Sequence, residues 1–93
     1  MTRFLKDRKG NTVTVKLGYA PYHGKNITIY TWDDNKKDII YTTTVYEKDM
    51  SSEVYTEVSD IMCEMSDKFT TLVTKNSADC EFDLTQEQFD RLQ

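Results

Sequence analysis

Five carboxylates between positions 53 and 67 recur every three or four residues, the spacing that brings side chains together on one side of an α-helix. They are Glu53, Glu57, Asp60, Glu64 and Asp67. At about 100° per residue they project within an arc of about 80° and form a ridge roughly 21 Å long. Like charges at this spacing repel, and no lysine or arginine lies between them in the segment. The ridge has three interpretations: a solvated face, a recognition surface for a basic partner, or a weak cation site.

Nucleic-acid mimicry is the most specific form of the second interpretation. Duplex DNA carries about 12 phosphate charges over roughly 21 Å, at one charge per about 1.7 Å of helix axis. Five carboxylates fall short of that density, so mimicry requires the acidic residues that follow the helix to extend the same surface. These residues are Asp79, Glu81, Asp83, Glu87 and Asp90.

Tyrosine and tryptophan, the residues that most often anchor protein interfaces, are concentrated in the first half of the chain. The candidates for partner binding are Tyr30, Trp32, Tyr41 and Tyr46. Two other interpretations stay open. The rings complete a thin core while their polar ends reach water, or they stack on single-stranded nucleic acid beside Lys25, Lys36 and Lys37. The net charge of −4 argues against stacking, because phosphate contacts require clustered basic charge.

Residues suited to catalysis are few. His23 is the single histidine, and in a glycine-containing segment a surface histidine is more common than a general base. The chain contains no nucleophile elbow, phosphate-binding loop or dinucleotide-binding fingerprint. Asp33, Asp34 and Asn35 offer oxygen ligands but lack the glycine and glutamate of a calcium-binding loop. We therefore expect a protein that is not an enzyme, with no catalytic residue, no cofactor and no metal site.

The two cysteines, Cys63 and Cys80, are too few for the disulfide framework of a small secreted protein. We interpret them as buried or half-buried thiols, with a disulfide between them as the alternative. No segment has the apolar length of a membrane span, and the start of the chain lacks the apolar stretch of a secretory signal. These features predict a cytoplasmic protein.

Charge is distributed unevenly along the chain. Residues 1–48 contain nine Lys and Arg against five Asp and Glu, whereas residues 49–93 contain three against eleven. This separation indicates a surface of one sign and hence a charged partner. Ninety-three residues suffice for one core, and a composition of 38% hydrophobic and 30% charged residues is typical of a folded domain. We expect a single domain over residues 1–93.

Alternating side chains predict two N-terminal hairpins. The first pairs residues 3–6 with residues 12–17, in which Val13, Val15 and Leu17 share one face.

The second hairpin pairs residues 26–32 with residues 39–46. Its threonines and tyrosines are typical of an antiparallel sheet with one solvated face. Residues 18–25, which contain the only proline and two of the three glycines, are predicted to form a loop between the hairpins.

An amphipathic helix is predicted over residues 51 to about 73, where apolar residues follow steps of three, four and seven. They are Val54, Val58, Ile61, Met62, Met65, Phe69, Leu72 and Val73. Ser51 or Ser52 is suited to cap its start, and Glu53 complements the helix dipole in the first turn. We expect the apolar side to pack on Val13, Val15, Ile27, Ile29 and Val45 of the sheet.

The C-terminal segment predicts one more strand and a short helix. Cys80, Phe82 and Leu84 alternate with acidic residues, as in a half-buried strand. Residues 85–88 resemble a capping box, which favours a helix that contains Phe89.

Strands segregated from helices predict an α+β fold, in which a small antiparallel sheet of about five strands packs against one long amphipathic helix and a short C-terminal helix follows. On this fold the acidic ridge favours a small acidic binding protein, an inhibitor or regulator that occupies a basic, nucleic-acid-binding surface of a partner protein. Nuclease-neutralising immunity proteins and phage-encoded inhibitors of host defence share this general character, although no motif of the chain matches them. The alternative is a structural subunit that oligomerises, as a homodimer for example, through its sheet edge and aromatic face. Neither a membrane nor nucleic acid itself is expected as a partner.

Overall fold

The alternation of apolar and polar residues produces an antiparallel sheet, and the protein is α+β. The computed structural model describes residues 3–20, 22–65 and 81–93. In chain order the elements are β1 (Leu5–Lys6), β2 (Thr12–Ala20), β3 (Gly24–Trp32), β4 (Ile39–Tyr46), a 3₁₀ helix (Glu47–Asp49), α1 (Ser52–Glu64), β5 (Phe82–Asp83) and α2 (Gln86–Asp90). No helix in these ranges has the length and apolar character needed to cross a membrane.

The first four strands form a meander in the order β1-β2-β3-β4. β5 pairs with β2 through Phe82 opposite Leu17, so β1 and β5 share the edge of β2 that β3 leaves free. Side chains alternate between the core and the opposite side of the sheet, which we name the outer face. In β2 and β3 the outer face consists of Thr12, Thr14, Lys16, Gly18, Ala20, Asn26, Thr28, Tyr30 and Trp32.

The predicted loop over residues 18–25 is wrong in its extent. β2 continues to Ala20 and β3 begins at Gly24, and the two strands pair through Gly18 opposite Asn26 and Ala20 opposite Gly24. Glycine is favoured at position 24 because the backbone has φ +76°, and a Cβ there would also meet the carboxylate of Glu47. The segment is therefore the turn end of a β2–β3 hairpin, and its two glycines lie within the paired strands.

β4 lies at the edge of the sheet, with the bounds that the sequence predicts. Its pairing with β3 shifts between Thr31, which lies opposite Tyr41, and Trp32, which lies opposite Ile39. One extra residue, Ile40, therefore bulges from β4. Within the described ranges no strand pairs with the other edge of β4.

Helix α1 is shorter than predicted. It has 13 residues, begins after Ser51, whose hydroxyl accepts a hydrogen bond from the backbone N–H of Val54 at 3.2 Å, and ends at Glu64. At Met65 the backbone leaves the helical region, with φ −111° and ψ 38°, which ends the helix there. The predicted helical positions beyond residue 65 lie outside the described residues.

The core contains side chains from both the sheet and the helices. Its buried members are Leu5, Val13, Val15, Leu17, Ile27, Val58, Ile61, Met62, Leu84 and Phe89. Val54, Met65 and Ile29, which were also predicted to lie in the core, are half-buried against this cluster, and Val45 is half-buried outside it. An isolated helix of 13 residues is marginal in water, so α1 depends on this packing.

The C-terminal segment follows its sequence signals closely. β5 is limited to Phe82–Asp83, and Cys80, which was assigned to the same strand, lies outside the described residues. Thr85 and Gln88 form the predicted capping box at the start of α2. Gln86 then links α2 to β1, since its side chain accepts a hydrogen bond from the N–H of Lys6 at 2.8 Å and donates one to the carbonyl of Lys6 at 2.9 Å.

Truncation of Ile61 is expected to test this core. Ile61 is completely buried, so Ile61→Ala should lower the free energy of unfolding by about 2–5 kcal/mol. Cys63→Ala on the exposed side of the same helix is the matched control and should change it by less than about 0.5 kcal/mol. Urea unfolding followed by circular dichroism measures both values, and equal stabilities for the two variants would contradict the assigned core face.

A carboxylate organises the turn between β1 and β2. Asp7 Oδ1 accepts hydrogen bonds from the backbone N–H groups of Lys9 at 2.9 Å and Asn11 at 2.8 Å, and Gly10 adopts φ +86° between them. Burial acts to raise the pKa of Asp7, but the hydrogen bonds from Asn11 and Lys9 outweigh it, so this pKa lies below its usual value of 3.8.

This lowered pKa predicts a pH-dependent difference between the parent and Asp7→Asn. A carboxyl group with a lower pKa in the folded protein than in the unfolded protein stabilises the fold at pH values above its unfolded-state pKa. This stabilisation is lost as the pH falls through the pKa of the folded state. The parent should therefore be the more stable protein at neutral pH, and its advantage should disappear below the usual pKa of 3.8. Thermal unfolding at several pH values measures the difference, and an advantage that persisted in acid would refute this role of Asp7.

Candidate functional site

The carboxylates of α1 lie on the side of the helix that faces away from the core. Glu53, Asp60 and Glu64 are exposed and Glu57 is half-buried, while Val58 and Ile61 lie on the opposite, buried side. Asp67, the fifth predicted member, lies outside the described residues. The sequence spacing therefore brings four of the five predicted carboxylates together on α1.

Arg91 lies among these carboxylates. Its Nε donates a hydrogen bond to Glu57 Oε2 at 3.1 Å, and its Nη1 donates one to Glu64 Oε2 at 2.6 Å. The hydrogen bond to Glu64, followed by the one to Glu57, raises the pKa of Arg91 above its usual value. The repulsion inferred from the sequence is thus relieved at two positions, whereas Glu53 and Asp60 have no ion pair within the described ranges.

The elements that bring Arg91 to α1 are local and well defined. The capping box fixes the start of α2, buried Phe89 anchors it in the core, and Arg91 follows its last turn. The end of the chain is held in turn by Arg8, whose backbone N–H donates to the side chain of Gln93 at 2.9 Å and whose guanidinium donates to its carbonyl. Arg91 is 27 residues from Glu64, so helical periodicity gave no sign of the pair. One indication of this role is present in the sequence: Arg91 is one of three basic residues within residues 49–93, which contain eleven acidic residues.

The acidic residues after α1 lie on different sides of the molecule. Glu87 lies one turn before Arg91 and hence on the same side of α2. Asp83 lies on the outer face, 3.9 Å from Lys16, and Glu81 lies beside Gly18 on that face. Asp90 accepts hydrogen bonds from Gln86 and Gln93, and Asp79 lies outside the described residues. We define the acidic surface as Glu53, Glu57, Asp60, Glu64 and Glu87, with Arg91 between them.

An open groove follows the boundary between the acidic surface and the C-terminus. Its volume is about 560 Å³, and its lining includes Glu53, Glu57, Arg91 and Leu92. Carboxylates at the edge of a partly apolar groove are suited to a lysine or arginine side chain, which has an apolar stem and a charged end.

The aromatic candidates divide between two structural roles. The indole N–H of Trp32 donates to Thr14 Oγ1 at 2.9 Å, and its ring lies edge-on to Phe4 with 5.3 Å between centroids. Tyr30 is half-buried, with the Lys16 ammonium 5.9 Å from its ring. These two rings therefore complete the outer face of the sheet.

The other two candidates are exposed and lie on β4. Tyr41 is 64% exposed on the core side of the strand, and Tyr46 is 36% exposed on the outer face. Ile39 and Ile40 are also exposed, at 46% and 66%. Both isoleucines lie in the strand as predicted, but their exposure was not predicted, because alternation alone does not distinguish an edge strand from a central one.

Two of the three lysines considered for nucleic-acid stacking have partners within the chain. Lys25 Nζ lies 3.4 Å from Glu47 Oε1, donates to the hydroxyl of Tyr55 at 3.3 Å, and lies over the Tyr55 ring at 4.7 Å. Burial acts to lower the pKa of Lys25, but Tyr55 and Glu47 outweigh burial and raise it. Lys36 lies over Phe4 at 5.6 Å.

The remaining reactive side chains are isolated. His23 is exposed, with its ring 5.4 Å from that of Tyr46. Cys63 is a free, exposed thiol, which corrects the expectation of a buried residue, since it lies on the solvent side of α1 next to Glu64. Within the described ranges no three His, Cys, Asp or Glu side chains are arranged to hold a metal ion.

Comparison with known proteins gives no relative. No protein-family model matches the chain, and no curated protein or solved structure is significantly similar to it. The two candidate surfaces for binding are therefore the acidic surface and the exposed side chains of β4.

Replacement of Arg91 is expected to restore the repulsion between the carboxylates. Arg91→Gln should lower the melting temperature more than Lys48→Gln, which removes the same charge from an exposed position with no ion pair in the described ranges. Because salt screens exposed charges, the difference should shrink in about 1 M salt. Melting temperatures at low and high salt provide the measurement, and identical values for both variants at low salt would show that the pairs contribute nothing.

Proposed function

We propose that this chain is a small acidic binding protein, an inhibitor or regulator that occupies a basic surface of a partner protein. The observation that carries the proposal is the acidic surface, where five carboxylates accompany one guanidinium. A surface of one sign raises the rate of encounter with an oppositely charged partner and disfavours partners of the same sign.

The nature of the charges favours a protein partner that handles nucleic acid. Such proteins bind phosphate through clusters of lysine and arginine, and the carboxylates of α1 offer an acceptor array to the same side chains. Glu53 and Asp60 remain available for new ion pairs, and the neighbouring groove of about 560 Å³ suits the stem of a basic residue.

The number of carboxylates on the acidic surface limits how closely it can imitate nucleic acid. Glu81 and Asp83 lie on the outer face and do not lengthen the array on α1. A single acidic surface therefore carries fewer charges than the roughly 12 phosphates of a duplex over roughly 21 Å. It matches a local basic patch better than the whole length of a duplex-binding channel.

Removal of the two unpaired carboxylates tests the proposal. Glu53→Gln with Asp60→Asn leaves Arg91 and its partners intact. The relief of repulsion offsets the loss of the favourable interaction between Glu53 and the helix dipole, so the free energy of unfolding should change by less than about 0.5 kcal/mol. The tagged chain is purified from a native-like lysate at low and high salt, and the proteins that accompany it are identified. The parent should retain a basic nucleic-acid-binding protein at low salt and lose it at high salt, and the double variant should retain less of it.

The control removes the same charge elsewhere. Asp34→Asn with Glu81→Gln changes two exposed carboxylates, in the β3–β4 turn and on the outer face, and should leave capture unchanged. Equal capture by all three proteins would refute the role of the acidic surface.

A second candidate function is assembly, which the exposed edge of β4 favours. Four of the seven exposed large hydrophobic side chains in the described ranges lie on this strand: Ile39, Ile40, Tyr41 and Tyr46. All eight residues of β4 are uncharged, and none is proline. Edge strands that remain monomeric usually carry a charge, a proline or a bulge that prevents pairing, and in β4 the bulge at Ile40 leaves the stretch from Tyr41 to Tyr46 regular.

A further inference from the structure

The exposed edge of β4 has features that specify its occupant. The described strand pairs are all antiparallel, and β4 carries no charge and no proline that would prevent another strand from pairing with its free edge. Two copies related by a two-fold axis perpendicular to the sheet place their edge strands antiparallel. A second copy of β4 therefore meets the requirements of an antiparallel pair.

Symmetry restricts the register of such a pair. Opposite side chains in an antiparallel pair point to the same face of the sheet, and a two-fold axis perpendicular to the sheet keeps every residue on its own face. The axis must then pass midway between a residue and its own copy, which lie opposite each other and form the centre of the pair. The regular part of β4 runs from Tyr41, after the bulge, to Tyr46, before the 3₁₀ helix, so the central residue is Thr43 or Thr44.

The two registers differ in what they place opposite Tyr41. Centring on Thr44 places Tyr41 opposite Glu47, beyond the end of the partner strand. Centring on Thr43 places it opposite Val45 and pairs Thr42 with Thr44. Pairs of an aromatic and a β-branched residue, such as Tyr41 and Val45, and pairs of two threonines stabilise neighbouring strands. The two-fold axis makes each of these pairs occur twice.

A groove on the core side of β4 agrees with the register centred on Thr43. It has a volume of about 180 Å³ and is lined by Ile27, Ile29, Val45, Asp49, Met50, Val54, Phe89 and Leu92. Tyr41 is on the core side of its strand, so in the Thr43-centred pair its ring lies beside Val45 of the other copy, at the side of this groove. The exposed ring and the apolar groove of one chain thus complement those of a second.

We propose that β4 pairs antiparallel with β4 of a second copy, centred on Thr43, to give one continuous sheet across a two-fold axis. This inference rests on the assembly function above. The pairing involves a short strand, so the dimer dissociates on dilution.

Two matched double variants test both the edge and the register. Thr42→Lys with Thr44→Lys places like charges opposite each other twice, whereas Thr42→Lys with Thr44→Glu places opposite charges there. Both positions are exposed, and both variants lose the same Thr28–Thr44 hydroxyl contact of 3.2 Å, so their monomers should fold alike. Circular dichroism checks that they do. In the Thr44-centred register the Lys–Glu variant would instead place two glutamates opposite each other.

Sedimentation equilibrium from about 1 μM to about 1 mM measures the dissociation constant. We expect a concentration-dependent dimer for the parent, a dissociation constant raised about tenfold or more for the Lys–Lys variant, and an unchanged or lower one for the Lys–Glu variant. A parent that stays monomeric throughout overturns the proposal, including the case in which β4 captures a different protein. If the dissociation constant is unchanged in both double variants, the protein still assembles, but pairing through β4 is overturned. Loss of the dimer in both folded variants overturns the Thr43-centred register.

Discussion

The packing of β2 against α1 and the C-terminal segment is the interaction on which the other features depend. Val13, Val15 and Leu17 on one side of β2 meet Val58 and Ile61 of α1 together with Leu84 and Phe89. α1 is too short to be stable alone, and α2 is shorter still. The same contacts therefore form the helices and fix where their charged sides lie. Arg91 reaches Glu57 and Glu64 because Phe89, two residues earlier, is held in this core.

Much of the fold could be predicted because its signals are local. The alternation in β2, β3 and β4, the Ser51 cap and the capping box at Thr85 each depend on residues within a few positions of one another. The glycine-containing segment was interpreted wrongly for a related reason. A glycine indicates that the chain turns nearby but not how few residues the turn takes. Here the chain reverses between Ala20 and Gly24, and Gly24, with φ +76°, already pairs with Ala20.

The candidate site was less predictable because its decisive contacts connect distant residues. Periodicity placed four carboxylates on one side of α1, but it carried no information about a guanidinium 27 residues further on. In the same way, alternation showed that Tyr41 and Tyr46 lie on opposite faces of β4 and gave no indication that β4 is an edge strand. Edge position is a property of the whole sheet order, which depends on β5 pairing with β2 and not with β4.

The two proposed surfaces are compatible, and one strengthens the other. A two-fold axis perpendicular to the sheet keeps the faces of both copies aligned, so a β4-paired dimer has both α1 helices on the same side of its continuous sheet. Two acidic surfaces would then face one partner, which doubles the charge that a single copy presents. Simultaneous engagement raises affinity without any new contact within either surface, provided that the spacing of the basic patches matches the dimer. The shortfall of carboxylates against duplex phosphates in one chain is therefore a reason to expect assembly to contribute to recognition, and the bulge at Ile40, by limiting the paired length, would keep that assembly reversible.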